Sequence, residues 1–136
     1  YTKDVSFESP DSPAVFLKSW QPKISVDLNT KSNLIDEDGN YEVVLSITVT
    51  AEIEEKPSFL IEVQQAGVFL AKGLEGDQLR SVMGTVAPTI LFPYARECID
   101  ALCVKGGFPA IMLAPVNFEA LYQEALKQSE LGNQVQ

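Results

Sequence analysis

Residues Tyr41–Ile53, read as YEVVLSITVTAEI, decide the fold. The odd positions Tyr41, Val43, Leu45, Ile47, Val49, Ala51 and Ile53 are all apolar, whereas the even positions run Glu42, Val44, Ser46, Thr48, Thr50 and Glu52. Side chains of a strand alternate between its two faces, so this period of two predicts a long strand with one face on a core and the other in water. Working outward, the same alternation sets Ile24, Val26 and Leu28 against Lys23, Ser25, Asp27 and Asn29, and Tyr1, Val5 and Phe7 against Thr2, Asp4, Ser6 and Glu8. A fourth strand is predicted from about Ser58 to Phe69, with Phe59, Ile61 and Val63 inward, Glu62 and Gln64 outward, and a bulge at Ala66-Gly67. The polar run Asn29 to Asn40 reads as a surface loop between the second and third strands. Strands that follow one another without helices predict an antiparallel sheet with one wet face.

Past Gly73 the period lengthens. Leu79, Val82, Met83 and Val86 recur at helical spacing until Pro88 stops or kinks that segment. Leu91, Tyr94, Ala95, Cys98, Ile99 and Leu102 make a second helical stripe, with Gly106-Gly107 as its cap. After the proline-bounded apolar connector Phe108 to Val116, Asn117 is placed to cap a last helix carrying Phe118, Leu121, Tyr122, Ala125 and Leu126 on one face. Strands first and helices second predict an α+β fold: a four-stranded antiparallel sheet with helices packed on one side. Residues 1–136 read as a single domain, with strands over about residues 1–70 and helices over about 75–131.

Nineteen acidic against ten basic residues give a net charge of −9, a sign that repels nucleic acid and anionic lipid. The charge is uneven, since residues 1–70 hold twelve acids against five lysines. The apolar stretch Phe108–Phe118 is too short to span a bilayer and is broken by Pro109 and Pro115. Cys98 and Cys103 sit roughly 140° apart around a helix axis, which disfavours a disulfide and predicts buried, inert thiols.

There is no histidine, which removes the commonest general base and the usual metal ligand. The glycines at 67, 73 and 76 fit no phosphate-binding motif, and the carboxylate pairs Glu54-Glu55 and Asp36 to Asp38 read as solvated loop charge. The chain is therefore expected to bind other polypeptides rather than to be an enzyme, with no metal and no cofactor. The outward phase of the strands gathers Asp4, Glu8, Glu42, Glu52, Glu62 and Leu60 on one sheet face, which is either a solvated surface or a docking surface for a cationic partner. Trp20 and the Phe108–Val116 connector serve either the core or a groove.

Four separated stretches, Tyr1-Thr-Lys-Asp-Val-Ser-Phe-Glu8, Glu62-Val-Gln-Gln65, Ile90-Leu-Phe-Pro-Tyr-Ala-Arg-Glu97 and Leu113-Ala-Pro-Val-Asn-Phe118, resemble the signature segments of the SecB protein-export chaperones. The resemblance runs from Tyr1 to about Gln128, with Thr89 standing where that family usually has Asn. It implies a bacterial cytoplasmic homotetramer, a dimer of dimers, that holds unfolded precursor proteins and delivers them to the SecA motor ATPase. By position it implies a SecA-binding surface at Asp4, Glu8, Leu60 and Glu62, and a client-binding groove at Trp20, Ile24, Val26, Leu28, Tyr122 and Leu126. The alternative within the same fold is a chaperone dedicated to one partner such as an antitoxin. A reading from another class is a small-molecule enzyme with an acidic base, for which the sequence offers no pocket.

Overall fold

A computed structural model describes residues 1–134. Strands β1 (Thr2–Glu8), β2 (Lys23–Leu34), β3 (Asn40–Ile53) and β4 (Lys56–Leu70) form one sheet in the order β1-β4-β3-β2, with every neighbouring pair antiparallel. Helices α1 (Gly76–Ser81), α2 (Ala87–Lys105) and α3 (Phe118–Gln134) follow, and α2 packs across β3 and β4. The four-stranded α+β layout expected from alternation is the one observed.

The core lies between the sheet and α2. Val43, Leu45, Ile47, Val49 and Ala51 of β3 are fully buried together with Phe59, Ile61 and Val63 of β4. Across from them Leu91, Ala95, Ile99 and Cys103 recur every fourth residue on the inner side of α2. Each large aliphatic side chain so buried contributes about 1.5–3 kcal/mol. Gly67 allows the layers to approach, because a Cβ there would lie 3.0 Å from the Phe69 ring and 3.2 Å from Leu91.

Several sequence expectations change. Register is continuous through Ala66 and Gly67; the irregularities fall instead between Thr2 and Asp4 in β1 and next to the β3–β4 turn. The shift in β1 moves Tyr1 out of phase with Val5, and its hydroxyl donates to Glu42 on the wet face. Most of the supposed loop Asn29–Asn40 is strand, with Asn29–Leu34 paired to Ser46–Tyr41. It reads as polar because the edge strand is little covered there. Pro88 does not stop the helix: the π-helical turn Val82–Val86 joins α1 to α2 without a break. Proline lacks an N–H and its ring collides with the carbonyl four residues back, and the wider turn accommodates both faults. The Thr85 and Thr89 hydroxyls donate to the Ser81 and Thr85 carbonyls at 2.7 and 2.6 Å in the same region. Val86 and Tyr94, counted in the inner stripes, face outward with 51% and 62% of their surface exposed.

Both predicted caps form. Gly107 takes φ 86°, the Phe108 N–H donates to the Cys103 carbonyl at 2.8 Å, and the Gly107 N–H to the Val104 carbonyl at 3.1 Å, which is the Schellman closure of α2. The Ala120 N–H donates to Asn117 Oδ1 at 3.0 Å and starts α3.

Candidate functional site

The wet face of the sheet can be mapped row by row from the register. Asp27, Thr48, Glu62 and Ser6 lie side by side across β2, β3, β4 and β1; the next rows are Ser25, Thr50, Leu60 and Glu8 on one side and Asn29, Ser46, Gln64 and Asp4 on the other. Asp4, Glu8 and Glu62 are exposed and Leu60 is half-buried among them, so the structure brings these four sequence-derived residues onto one patch. Asp27 joins it. It belongs to the same outward phase of β2, and the register shows that it shares a row with Glu62.

Glu42 behaves differently from its neighbours. Its carboxylate accepts from Lys3 Nζ at 2.7 Å and from the Tyr1 hydroxyl, and its side chain keeps only 18% exposure. The Lys3 bond first, and the Tyr1 bond next, hold the Glu42 carboxyl below its ordinary range, while the bond to Glu42 raises the Tyr1 phenol. A shallow polar furrow of about 480 Å³ runs from Lys3 and Glu42 past Lys31, Ser46 and Thr48 to Glu62.

The other candidate lies on the helix side of the sheet. Val26 and Leu28 of β2, Phe92 of α2, the connector from Leu113 to Val116, and Leu121 of α3 enclose an apolar cleft of about 530 Å³. Leu28 and Leu121 also wall a second cleft of about 420 Å³, bounded by Arg80, Met83 and Tyr122. The two clefts adjoin at Leu28 and Leu121 and are taken together as one groove. Tyr122 lies across Gly84, where a Cβ would meet the ring at 2.9 Å, so the glycine in the π turn seats α3.

Of the six expected groove residues, Val26, Leu28 and Tyr122 line this groove. Ile24 and Leu126 are 36% and 42% exposed on β2 and α3, outside its walls. Trp20 belongs elsewhere: it stacks on Phe59 at 6.2 Å and leans on Phe108 at 5.2 Å, in an aromatic cluster that also holds Phe7 and Phe16. Beside it Phe16 and Leu17 are 49% and 93% exposed. Sequence reasoning left Phe92 out of the groove and held core and groove open for the connector; the structure lays Leu113 to Val116 along the cleft, held extended by the prolines.

Among the described residues no group of three or more His, Cys, Asp or Glu side chains is placed to hold a metal, and no helix is long and apolar enough to cross a membrane. Burial pushes the Cys103 thiol up to about 11, and burial also raises the partly covered Cys98. Both are free, as their spacing predicted.

Comparison with known proteins gives a consistent answer. The family model described as "Preprotein translocase subunit SecB" matches residues 1–129. The chain is 57% identical over 130 residues to a protein-export protein SecB of Marinobacter nauticus, covering 96% of this chain and 78% of that one. It is 55% identical over 130 residues to the SecB of Hahella chejuensis, covering 96% and 81%. Among solved structures, a SecB-like chaperone of Mycobacterium tuberculosis in complex with a ChAD peptide from the HigA1 antitoxin aligns with TM-score 0.70 at 12% identity, over 85% of this chain and 86% of that one, a likeness of fold.

Proposed function

The chain belongs to the SecB family, and from that membership we propose that it is an export chaperone that holds unfolded precursor proteins in the apolar groove and presents the wet sheet face to the SecA motor ATPase. The observation that carries the reading is the separation of the two surfaces: mostly apolar walls on the helix side, and acid around one apolar side chain on the other. An apolar groove accepts many sequences through burial alone, as a holding chaperone requires. Charge around a single anchor gives fast, oriented docking. The work is binding and release, with no covalent step, in the bacterial cytoplasm.

Assembly as a homotetramer, a dimer of dimers, is part of the proposal. Val86 at the end of the π turn and Ile90 and Tyr94 on the outer side of α2 expose 51%, 50% and 62% of their surface, and Leu121 exposes 50% on α3, which is more apolar helix surface than one chain covers. The export reading is favoured over a chaperone dedicated to an antitoxin because the relatives at 57% and 55% identity are export proteins, whereas the peptide-bound neighbour shares 12%.

The test joins three measurements. Native mass spectrometry should give four copies. Light scattering should show that the chain suppresses aggregation of an unfolded precursor and that Tyr122→Ser suppresses it less per folded assembly. Calorimetry with the motor at two salt concentrations should show weaker binding for Glu62→Lys and for Leu60→Glu, with unchanged circular dichroism. A stable monomer that neither protects a precursor nor binds the motor would overturn the proposal.

A further inference from the structure

The wet face is electrically two-ended. At one end Asp27 and Glu62 share a row, with Asp4 and Glu8 in the flanking rows, and all four are exposed. At the other end Lys3 is occupied by Glu42, so that pair contributes little net field. Of the two lysines on the outward phase of β2, both exposed and without an ion pair among the described residues, Lys23 stands opposite Glu52, whereas Lys31 stands opposite Val44 with no acid across from it. The polar furrow connects Lys31 with Glu62, walled between them by Asn29, Ser46, Thr48 and Gln64, side chains that offer hydrogen bonds without charge.

We propose that the partner segment docked on this face is charge-segregated and lies in one direction only, with basic residues over Asp4, Glu8 and Glu62 and an acidic residue on Lys31. The inference rests on the reading of the face as the motor's docking surface and adds the chemistry and polarity of what docks. Lys31 is four residues along the strand from Asp27, about 13 Å, and the β2-to-β4 offset places it about 16 Å from Glu62. An extended segment covers that span in about five residues. Opposite charges at the two ends would fix its direction, since reversing it would set like charges together at both ends.

The sign of one mutation decides. If the docked segment were simply cationic, Lys31→Glu would enlarge the acidic surface and tighten binding. A charge-segregated segment instead predicts that Lys31→Glu weakens motor binding about three- to tenfold in low salt, that Lys31→Gln weakens it less, and that both effects shrink as salt rises. Calorimetry with the motor should be run on the parent, Lys31→Glu, Lys31→Gln and Glu62→Lys. Unchanged or tighter binding by Lys31→Glu, with Glu62→Lys still weakened, would overturn the proposed polarity and leave the docking face standing. Absence of binding by the parent, or indifference to Glu62→Lys, would overturn both.

Discussion

Replacing Gly106 with alanine tests how the aromatic cluster is closed against the end of α2. Gly106 has φ −79° and ψ 0°, a conformation alanine adopts freely, so the backbone alone favours the change by about 0.4–1 kcal/mol through the unfolded state. Packing opposes it. A Cβ at Gly106 would lie 2.2 Å from Phe7 Cζ and 2.9 and 3.0 Å from two further ring atoms, against ordinary carbon contacts of about 3.5–4.0 Å. The ring must therefore retreat by more than an ångström. Its centroid stands 6.3 Å from that of Phe59 and 6.5 Å from that of Phe108, so inward movement is blocked and the escape is toward solvent. Losing that contact and much of the ring's burial costs about 1.5–3 kcal/mol. The net expectation is a destabilisation of about 1–2 kcal/mol, a fall in Tm of roughly 4–8 °C for a chain of this size. Thermal melting by circular dichroism should be compared at fixed protein concentration, because association raises Tm by mass action. Phe7→Leu in the Gly106→Ala background should recover part of the loss, with a coupling above about 0.5 kcal/mol. A Gly106→Ala protein as stable as its parent would refute the claim that the ring is wedged against this cap.

Two further outcomes are expected. Glu54 and Glu55 form the two-residue β3–β4 turn at φ 53° and 67°, where Asn-Gly is the favoured pair, so Glu54→Asn with Glu55→Gly should add about 1–2 kcal/mol in urea denaturation; no gain would mean that the turn relaxes without strain. Burial raises Cys103 from 9.0 to about 11, so the folded thiol stays protonated where the unfolded one ionises: its contribution to stability is complete below pH 9 and is lost as pH rises toward 11. Melting curves of the parent should fall more steeply than those of Cys103→Ala across that window, and parallel curves would count against a buried neutral thiol.

What the sequence made legible was whatever depends on side-chain period and on caps. The alternation of β4 placed Leu60 and Glu62 on the wet face without knowledge of any neighbour, while Gly107 announced one helix end through a left-handed backbone that few other residues adopt and Asn117 announced another through a side-chain oxygen within reach of the Ala120 N–H. What stayed hidden depends on partners distant in the chain. Nothing local to Tyr1 says that β1 slips by one residue and turns its ring toward Glu42. For Trp20 the sequence left core and groove open, and its place against Phe59 and Phe108 is a contact that only the closed fold creates. Pro88 carried a true local signal that left stop and kink open, and the structure answers it with a π turn rather than with the end of the helix. The β3–β4 turn was missed in detail because its two glutamates advertise solvent rather than a left-handed backbone.

The attachment of α3 has a consequence for the order in which the molecule loosens. Within its own chain the helix rests chiefly on the π turn, through Tyr122 at Gly84 and through Phe118 against Phe92. A helix of seventeen residues in a protein draws most of its stability from tertiary packing rather than from propensity, and here that packing is slight. Amide protons of α3 should therefore exchange with solvent through a local opening that leaves the sheet intact, at a free energy well below that of global unfolding. One wall of the groove proposed for precursors would then be among the first parts of the molecule to let go, and a bound chain that orders this wall would slow its exchange while hardly altering that of β3.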